Sequence, residues 1–226
     1  MRPLDQVLKS LEILARGPGY LVINKPSGQS VLADRSGAPC LIDQLKTDLT
    51  EKPYVVHRLD KGTSGVMLIA TSQESQSRLT RAFAKRTVHK FYLAKVTGSL
   101  NVKVSATIDL PLRKGRKSRY RVAGQRESIH RIGNRWQLHG SDGGHPSVTR
   151  LRTLRSEAAA SLLLLKPTTG RTHQLRVHLA WIGYAIIGDP LYGNPRDPAQ
   201  QADRLHLHCH KLIVPEIGTF TASAEF

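Results

Sequence analysis

The chain has 226 residues, with 34 Lys and Arg against 17 Asp and Glu, a formal charge of +17, two cysteines and 39% apolar residues. That apolar share at this length is enough to build a core, which excludes a wholly disordered chain, and no apolar run approaches the roughly 20 residues of a membrane span. Cys40 and Cys209 lie outside any CxxC spacing and make at most one bridge, which excludes a disulfide framework and points to a reducing cytoplasm.

In chain order, Leu4, Val7, Leu8 and Leu11 recur at helical spacing and predict a short amphipathic helix, broken at Gly17-Pro18-Gly19. Asp5 and Glu12 fall where a secretory leader needs an unbroken apolar run, so export is not expected. Tyr20 to Asn24 reads as a buried strand ended by Lys25-Pro26-Ser27-Gly28. Residues 27 to 54 read as loop around a short helix at 40 to 49. Val55-Val56 and Val66 to Ala70 are β-rich runs that flank a polar nonamer, His57 to Gly65. Thr71 and Glu74 have capping-box spacing, and Leu79, Ala82 and Phe83 share a face, which predicts a helix over about 72 to 86. Phe91 to Val96 alternates as a strand does. The stretch from 113 to 147 is charged, glycine-containing and without period, and reads as one long excursion. Strands follow at about 148 to 154 and 161 to 166, a helix at Thr172 to Ile182, and a final strand pair at about 205 to 214 and 219 to 222. No repeat or linker divides the chain, so one domain over 1–226 is expected, with a basic insertion at about 113–147.

The positive charge concerns partners and not fold: it concentrates polyanions, of which RNA and DNA come first. It is unevenly placed. Arg113 to Arg135 holds nine Lys or Arg and one acid, Glu127, and Arg78 to Lys95 holds six cations and no acid.

Two segments concentrate chemistry. The nonamer HRLDKGTSG brings together His57, Arg58, Asp60 and glycines that permit a sharp turn. It is not a P-loop, because its lysine precedes the glycines. Asp60 at the end of a strand suits a nucleophile or general base, and equally a turn aspartate capping the amides of Gly62 or Thr63. The second segment, LKPTTGRTHQLRVH, is a turn opening a helix on which Arg176 lies beside the apolar stripe. A partly buried arginine requires a carboxylate, which the sequence does not name. His173 and His178 are five apart, off the pairing of a zinc helix. His206, His208 and His210 alternate on a strand, an arrangement open either to metal or to hydrogen-bonded structural roles.

Taken together, Asn24-Lys25-Pro26-Ser27-Gly28, HRLDKGTSG, Lys90-Phe91-Tyr92-Leu93-Ala94, LKPTTGRTHQLRVH and Gly188-Asp189-Pro190-Leu191-Tyr192-Gly193 occur in the order of the RluA-type pseudouridine synthases, and the chain resembles that family over residues 20 to 193. The resemblance implies an α+β catalytic fold with a long mixed, mostly antiparallel sheet, flanking helices and a central cleft. It implies an isomerase that turns uridine into pseudouridine in stem-loops of structured rRNA, tRNA or both, with no cofactor and no metal; a chain with its own core and RNA surface is expected to work as a monomer, in the cytoplasm that its cysteine usage suggests. A non-catalytic RNA-binding or ribosome assembly protein on the same fold is the alternative. By position in the motifs, Asp60 is the nucleophile, Tyr92 stacks on the uracil and Arg176 pairs with Asp60. Leu175 forms an apolar floor and Arg58 fills the space that the flipped base leaves, with His57 and Arg171 as further substrate-binding candidates. The additional RNA-binding module of the S4 type carried by many relatives is not expected. Arg116, Lys117 and Arg119, in the basic insertion, are then expected to grip RNA.

Overall fold

The computed structural model describes residues 11–100, 105–140 and 143–226. It divides the chain into two compact units, Met1–Lys90 with His208–Glu225, and Phe91–Leu207 with Phe226.

In the first unit the sheet is centred on β4 (Ser64–Ala70), every residue of which is buried. Its aliphatic run without polar alternation is the pattern of a strand covered on both faces. β2 (Tyr20–Lys25) pairs antiparallel along β4, and β1 (Glu12–Gly17) pairs antiparallel with β2. The segment predicted as the end of a helix is therefore the first arm of a hairpin. Gly17-Pro18-Gly19 forms its turn, and β-pairing to Leu21–Asn24 overrides the helical spacing; Leu4, Val7 and Leu8 lie outside the described residues. β3 (Tyr54–Val55) pairs with the far end of β4, and β13 (Leu207–Val214) joins its start in parallel and carries β14 (Gly218–Thr221). Helix α1 (Leu41–Asp48) buries Leu41, Ile42 and Leu45 on one face. Helix α2 (Gln73–Ala84) is capped by Ser72, whose hydroxyl accepts the Ser75 amide, one residue later than the spacing at Thr71 suggests.

The second unit is built on β5 (His89–Thr97), whose first two residues belong to the first unit, β12 (Ala160–Pro167), β11 (Val148–Ser156) and β6 (Ala106–Asp109), each antiparallel to the next. Burial alternates along β5, β12 and β6 and over the first half of β11, so one face is core and the other faces outward. Helix α3 (Gln174–Trp181) packs on the core face, where it buries seven consecutive residues. The stretch from 113 to 147 is not a structureless excursion. β7 (Leu112–Lys114) and β8 (Tyr120–Val122) form a hairpin, and β9 (Ile129–Ile132) and β10 (Arg135–Leu138) form a second. β10 returns to lie parallel to β6, with Trp136 buried opposite Ile108. Strands of three or four residues carry too little alternation to be visible, and a parallel pairing is set by the crossover that precedes it. The fold is α+β with a mixed, mostly antiparallel sheet.

Candidate active site

The turn that carries Asp60 is immobilised from below. Lys25 closes β2 with 0% of its surface exposed, yet it holds an ammonium group. Its Nζ donates to the carbonyls of Pro26 at 2.7 Å, Gln29 at 2.8 Å and Lys61 at 3.3 Å. The Gly28 amide gives a second bond to the Lys61 carbonyl, at 2.9 Å, and the Ser27 hydroxyl donates to the Gly62 carbonyl at 2.7 Å. The NKPSG segment is thus a clamp on residues 61 and 62, next to Asp60. A buried ammonium without such acceptors would be costly, so the clamp cannot relax without stranding the charge. The turn itself is closed by the Thr63 amide donating to the Asp60 carbonyl at 3.0 Å, and Leu59 anchors it in the core.

The exit from the turn is equally fixed. Gly65 has φ of +111°, and a Cβ there would meet the Cys209 carbonyl oxygen at 2.3 Å, so β4 and β13 approach closely only because the residue is glycine. Beside it, the Ser64 hydroxyl and His208 Nδ1 lie 2.8 Å apart, and the Nε2 of the same ring donates to the Ala222 carbonyl at 3.1 Å. His57 Nε2 accepts the Leu68 amide at 3.0 Å, and its ring stacks on Phe83 with centroids 4.5 Å apart. Burial, aided by Lys90, pushes the His57 pKa down to about 3, so the ring is neutral and ties the turn to β4 and α2. Arg58 is exposed, and Lys61 pairs with Asp34 at 2.9 Å. The hydroxyls of Ser30 and Ser36, then Lys61, hold the Asp34 carboxyl well below the usual carboxylate range.

In the second unit, Tyr92 lies on the core face of β5 opposite Leu165, and α3 brings Leu175 and Arg176 to the same side of the sheet. Gln174 fixes the start of that helix with all four amide positions. Its Oε1 accepts from Thr169 at 2.7 Å and from the Arg171 amide at 3.0 Å, and its Nε2 donates to the Val148 carbonyl at 3.0 Å and to the Thr149 hydroxyl at 3.1 Å. Deeper in, His178 joins Thr149 at 3.0 Å and donates through Nε2 to the Leu110 carbonyl at 2.9 Å. Burial pushes its pKa down to about 4, which keeps it neutral and structural. Arg171, by contrast, is exposed and reaches the Pro146 carbonyl at 3.3 Å.

The carboxylate that Arg176 requires includes one the sequence left unnamed. Arg176 Nε donates to Asp189 Oδ2 at 2.8 Å and Nη2 donates to Oδ1 at 2.7 Å, a bidentate pair with side chains 6% and 1% exposed. The amides of Leu191 and Tyr192 also donate to Asp189 Oδ1, at 2.9 and 3.1 Å, and satisfy it further. Gly188 makes this loop possible: with φ of +74°, its Cβ would overlap the Arg204 carbonyl oxygen at 1.9 Å. Asp189 and Lys25 are the two residues whose work sequence reasoning missed. The signal for Asp189 was there, since a buried arginine in a chain with few acids must find one, and a carboxylate sits in the Gly188-Asp189-Pro190 turn.

The basic hairpin β7–β8 is joined to the same loop. The Tyr120 amide donates to Tyr192 Oη at 2.9 Å, Oη lies 2.8 Å from His173 Nδ1, and the Arg176 guanidinium lies over the Tyr192 ring at 5.2 Å. Arg116, Lys117 and Arg119 stand exposed at the hairpin tip, where Lys117 and Ser118 take left-handed conformations. No group of three or more His, Cys, Asp or Glu among the described residues is arranged to hold a metal ion, and His210 Nδ1 donates to the Ala222 carbonyl. No helix among the described residues is long and apolar enough to cross a membrane.

The RNA pseudouridylate synthase family model matches residues 19–181. An uncharacterized RNA pseudouridine synthase of Zymomonas mobilis is 34% identical over 209 residues, 91% of this chain and 88% of that protein. The dual-specificity RNA pseudouridine synthase RluA of Yersinia pestis is 34% identical over 95% of this chain and 99% of its own length. The solved structure of human RNA pseudouridylate synthase domain containing 1 superposes with a TM-score of 0.76 at 26% identity, covering all of this chain and 86% of that one.

Proposed function

The chain belongs to the RluA-type branch of the RNA pseudouridylate synthase family, and from that premise we propose that it isomerises specific uridines in structured ribosomal or transfer RNA, in the cytoplasm, with Asp60 as nucleophile. In this reading the target nucleotide leaves its stack at a cost of a few kcal/mol, and stacking of the base on Tyr92 offsets that cost by about 1–3 kcal/mol. Arg58 fills the vacated space, Leu175 floors the uracil site, and His57 and Arg171 border the substrate. The Asp60 carboxylate attacks the target uridine, the bond from N1 to C1′ breaks, the uracil turns, and C5 bonds to C1′. C5 loses its proton, N1 gains one, and the enzyme carboxylate is released. Product and substrate are isomers, so the step needs no redox partner and no added group. Arg176 keeps positive charge beside the ionised nucleophile, and Asp189 keeps that guanidinium in one orientation.

The observation that most supports Asp60 in this role is the clamp beneath it. A turn held by a buried ammonium and two further main-chain anchors presents a side chain with little positional freedom, as a nucleophile requires, since misplacement by about 1 Å can cost about 10²-fold in rate. The test is Asp60→Asn with pseudouridine mapped in total cellular RNA. The expected result is RNA binding as in the wild type and no product; substantial product from the variant would remove Asp60 from the mechanism.

A further inference from the structure

The outward face of the sheet in the second unit carries cations that the catalytic reading does not use. β11 presents Arg150 and Arg152 to solvent while Thr149 and Leu151 point into the core. Arg150 lies directly opposite Lys166 of β12 on one side and Thr107 of β6 on the other, and Thr107 pairs in turn with Arg135 of β10. The row Lys166, Arg150, Thr107, Arg135 thus crosses four strands at about 5 Å per strand. Arg135 is neutralised by Asp109. The side chains of Arg150 and Arg152 have no ion pair or hydrogen bond among the described residues, and Lys166 lies over the Phe91 ring at 5.2 Å. Phe91, Leu93, Leu162 and Leu164 continue the same face, half-buried, and Leu154 is 44% exposed.

Like charges directly opposite each other on antiparallel strands destabilise a sheet. The pair Arg150 and Lys166, with Arg152 two residues along, is such an arrangement, set beside an aromatic ring. Tyr92, Leu165 and α3 occupy the other side of this sheet, so an RNA element seated there does not neutralise these arginines. We propose that the outer face is a second RNA surface, in which Arg150, Arg152 and Lys166 hold the backbone of the single strand that flanks the modified element, with Phe91 beside them as a stacking surface. An extended polyanion supplies repeated charge along a row of cations, which matches this geometry.

The proposal rests on the reading that the chain acts on RNA, and its test does not depend on catalysis. The variant Arg150→Gln with Arg152→Gln, in the full chain, is compared with wild type by fluorescence anisotropy on two probes. One is a stem-loop; the other is the same stem-loop with about 20 unpaired uridines on each side, longer than the roughly 4–16 nucleotides of one single-strand site. The expected result is roughly tenfold weaker binding of the flanked probe and a salt slope shallower by about 1.4, at about 0.7 per lost contact, with stem-loop binding and thermal stability unchanged. Equal loss on both probes, or no loss on either, overturns the proposal. So does a change in self-association by sedimentation with RNA affinity intact, which would assign the face to a second copy of the chain. Failure of the catalytic reading shows separately, as product formed by Asp60→Asn.

Discussion

The turn at Asp60 and the tip of the β7–β8 hairpin are both short polar segments between strands, yet they are built in opposite ways. Below Asp60, Lys25 is fully buried and spends its donors on main-chain carbonyls, Ser27 and Gly28 add two bonds, and Gly65 lets β13 press against the exit. At the hairpin tip, Arg116, Lys117 and Arg119 are solvated, and two residues adopt left-handed backbone without being glycine. In the proposed function the difference separates two jobs. Bond making needs one geometry, whereas neutralising phosphates needs charge within reach and tolerates many geometries.

The largest effect is expected at the buried pair of Arg176 and Asp189. Asp189→Asn keeps the shape but leaves the buried Arg176 guanidinium short of its bidentate partner; removing one member of a buried pair costs about 3–5 kcal/mol. Chemical denaturation and single-turnover kinetics should show both that loss and a fall in kcat of about 10²-fold, while RNA affinity changes little; a normal kcat would show that Arg176 needs no orientation from Asp189. Next comes the clamp. Lys25→Met retains an unbranched stem one atom shorter and without donors, and each stranded carbonyl costs about 1–3 kcal/mol. Stability and kcat should drop together with RNA binding retained, and if kcat survived, rigidity at Asp60 would not be what the clamp supplies.

Smaller and of a different kind is the response of the hairpin. Charge reversal at Arg116, Lys117 and Arg119 should raise KM and flatten the salt dependence of binding by about 2–3 in slope, leaving kcat at saturating RNA near wild type. Unchanged affinity and slope would remove these residues from the RNA interface. The smallest effect concerns pH. His57 and His178 are held neutral in the fold, with pKa values of about 3 and about 4 against about 6.5 when unfolded. In the window from about 6.5 down to those values the unfolded state binds more protons, so stability falls as pH falls. Melting temperatures at pH 7 and at about pH 4.5, above the range where Asp34 titrates, should differ less in His178→Gln than in wild type. An equal difference would show that His178 does not couple folding to protons.

Much of the fold was legible because it is written in local period. The helix α2, the strands β4, β5, β11 and β12 and the turn before α3 each announce themselves through spacing or alternation within ten or so residues. The N-terminal hairpin did not, because Glu12 to Gly17 is a strand only through its pairing with Leu21–Asn24, and β9 and β10 did not, because four residues hold too little pattern. Among the candidate functional residues, the chemical types stood out in HRLDKGTSG and HQLR. Lys25 and Asp189 were visible as members of motifs but without a job, since a job for a buried charge is defined by its partners.

The sequence by itself therefore determined the family, the candidates for the reacting groups and the excess of positive charge, all of which depend on residue type and order along the chain. The tertiary structure decided what holds those groups still and where the charge lies. Register alone sets Arg150 opposite Lys166, and loop closure alone brings Asp189 to Arg176 and the Lys61 carbonyl to Lys25. These partners are 13 to 36 residues apart in sequence, beyond the reach of any helical or strand period, and only the packing of buried strands brings them together.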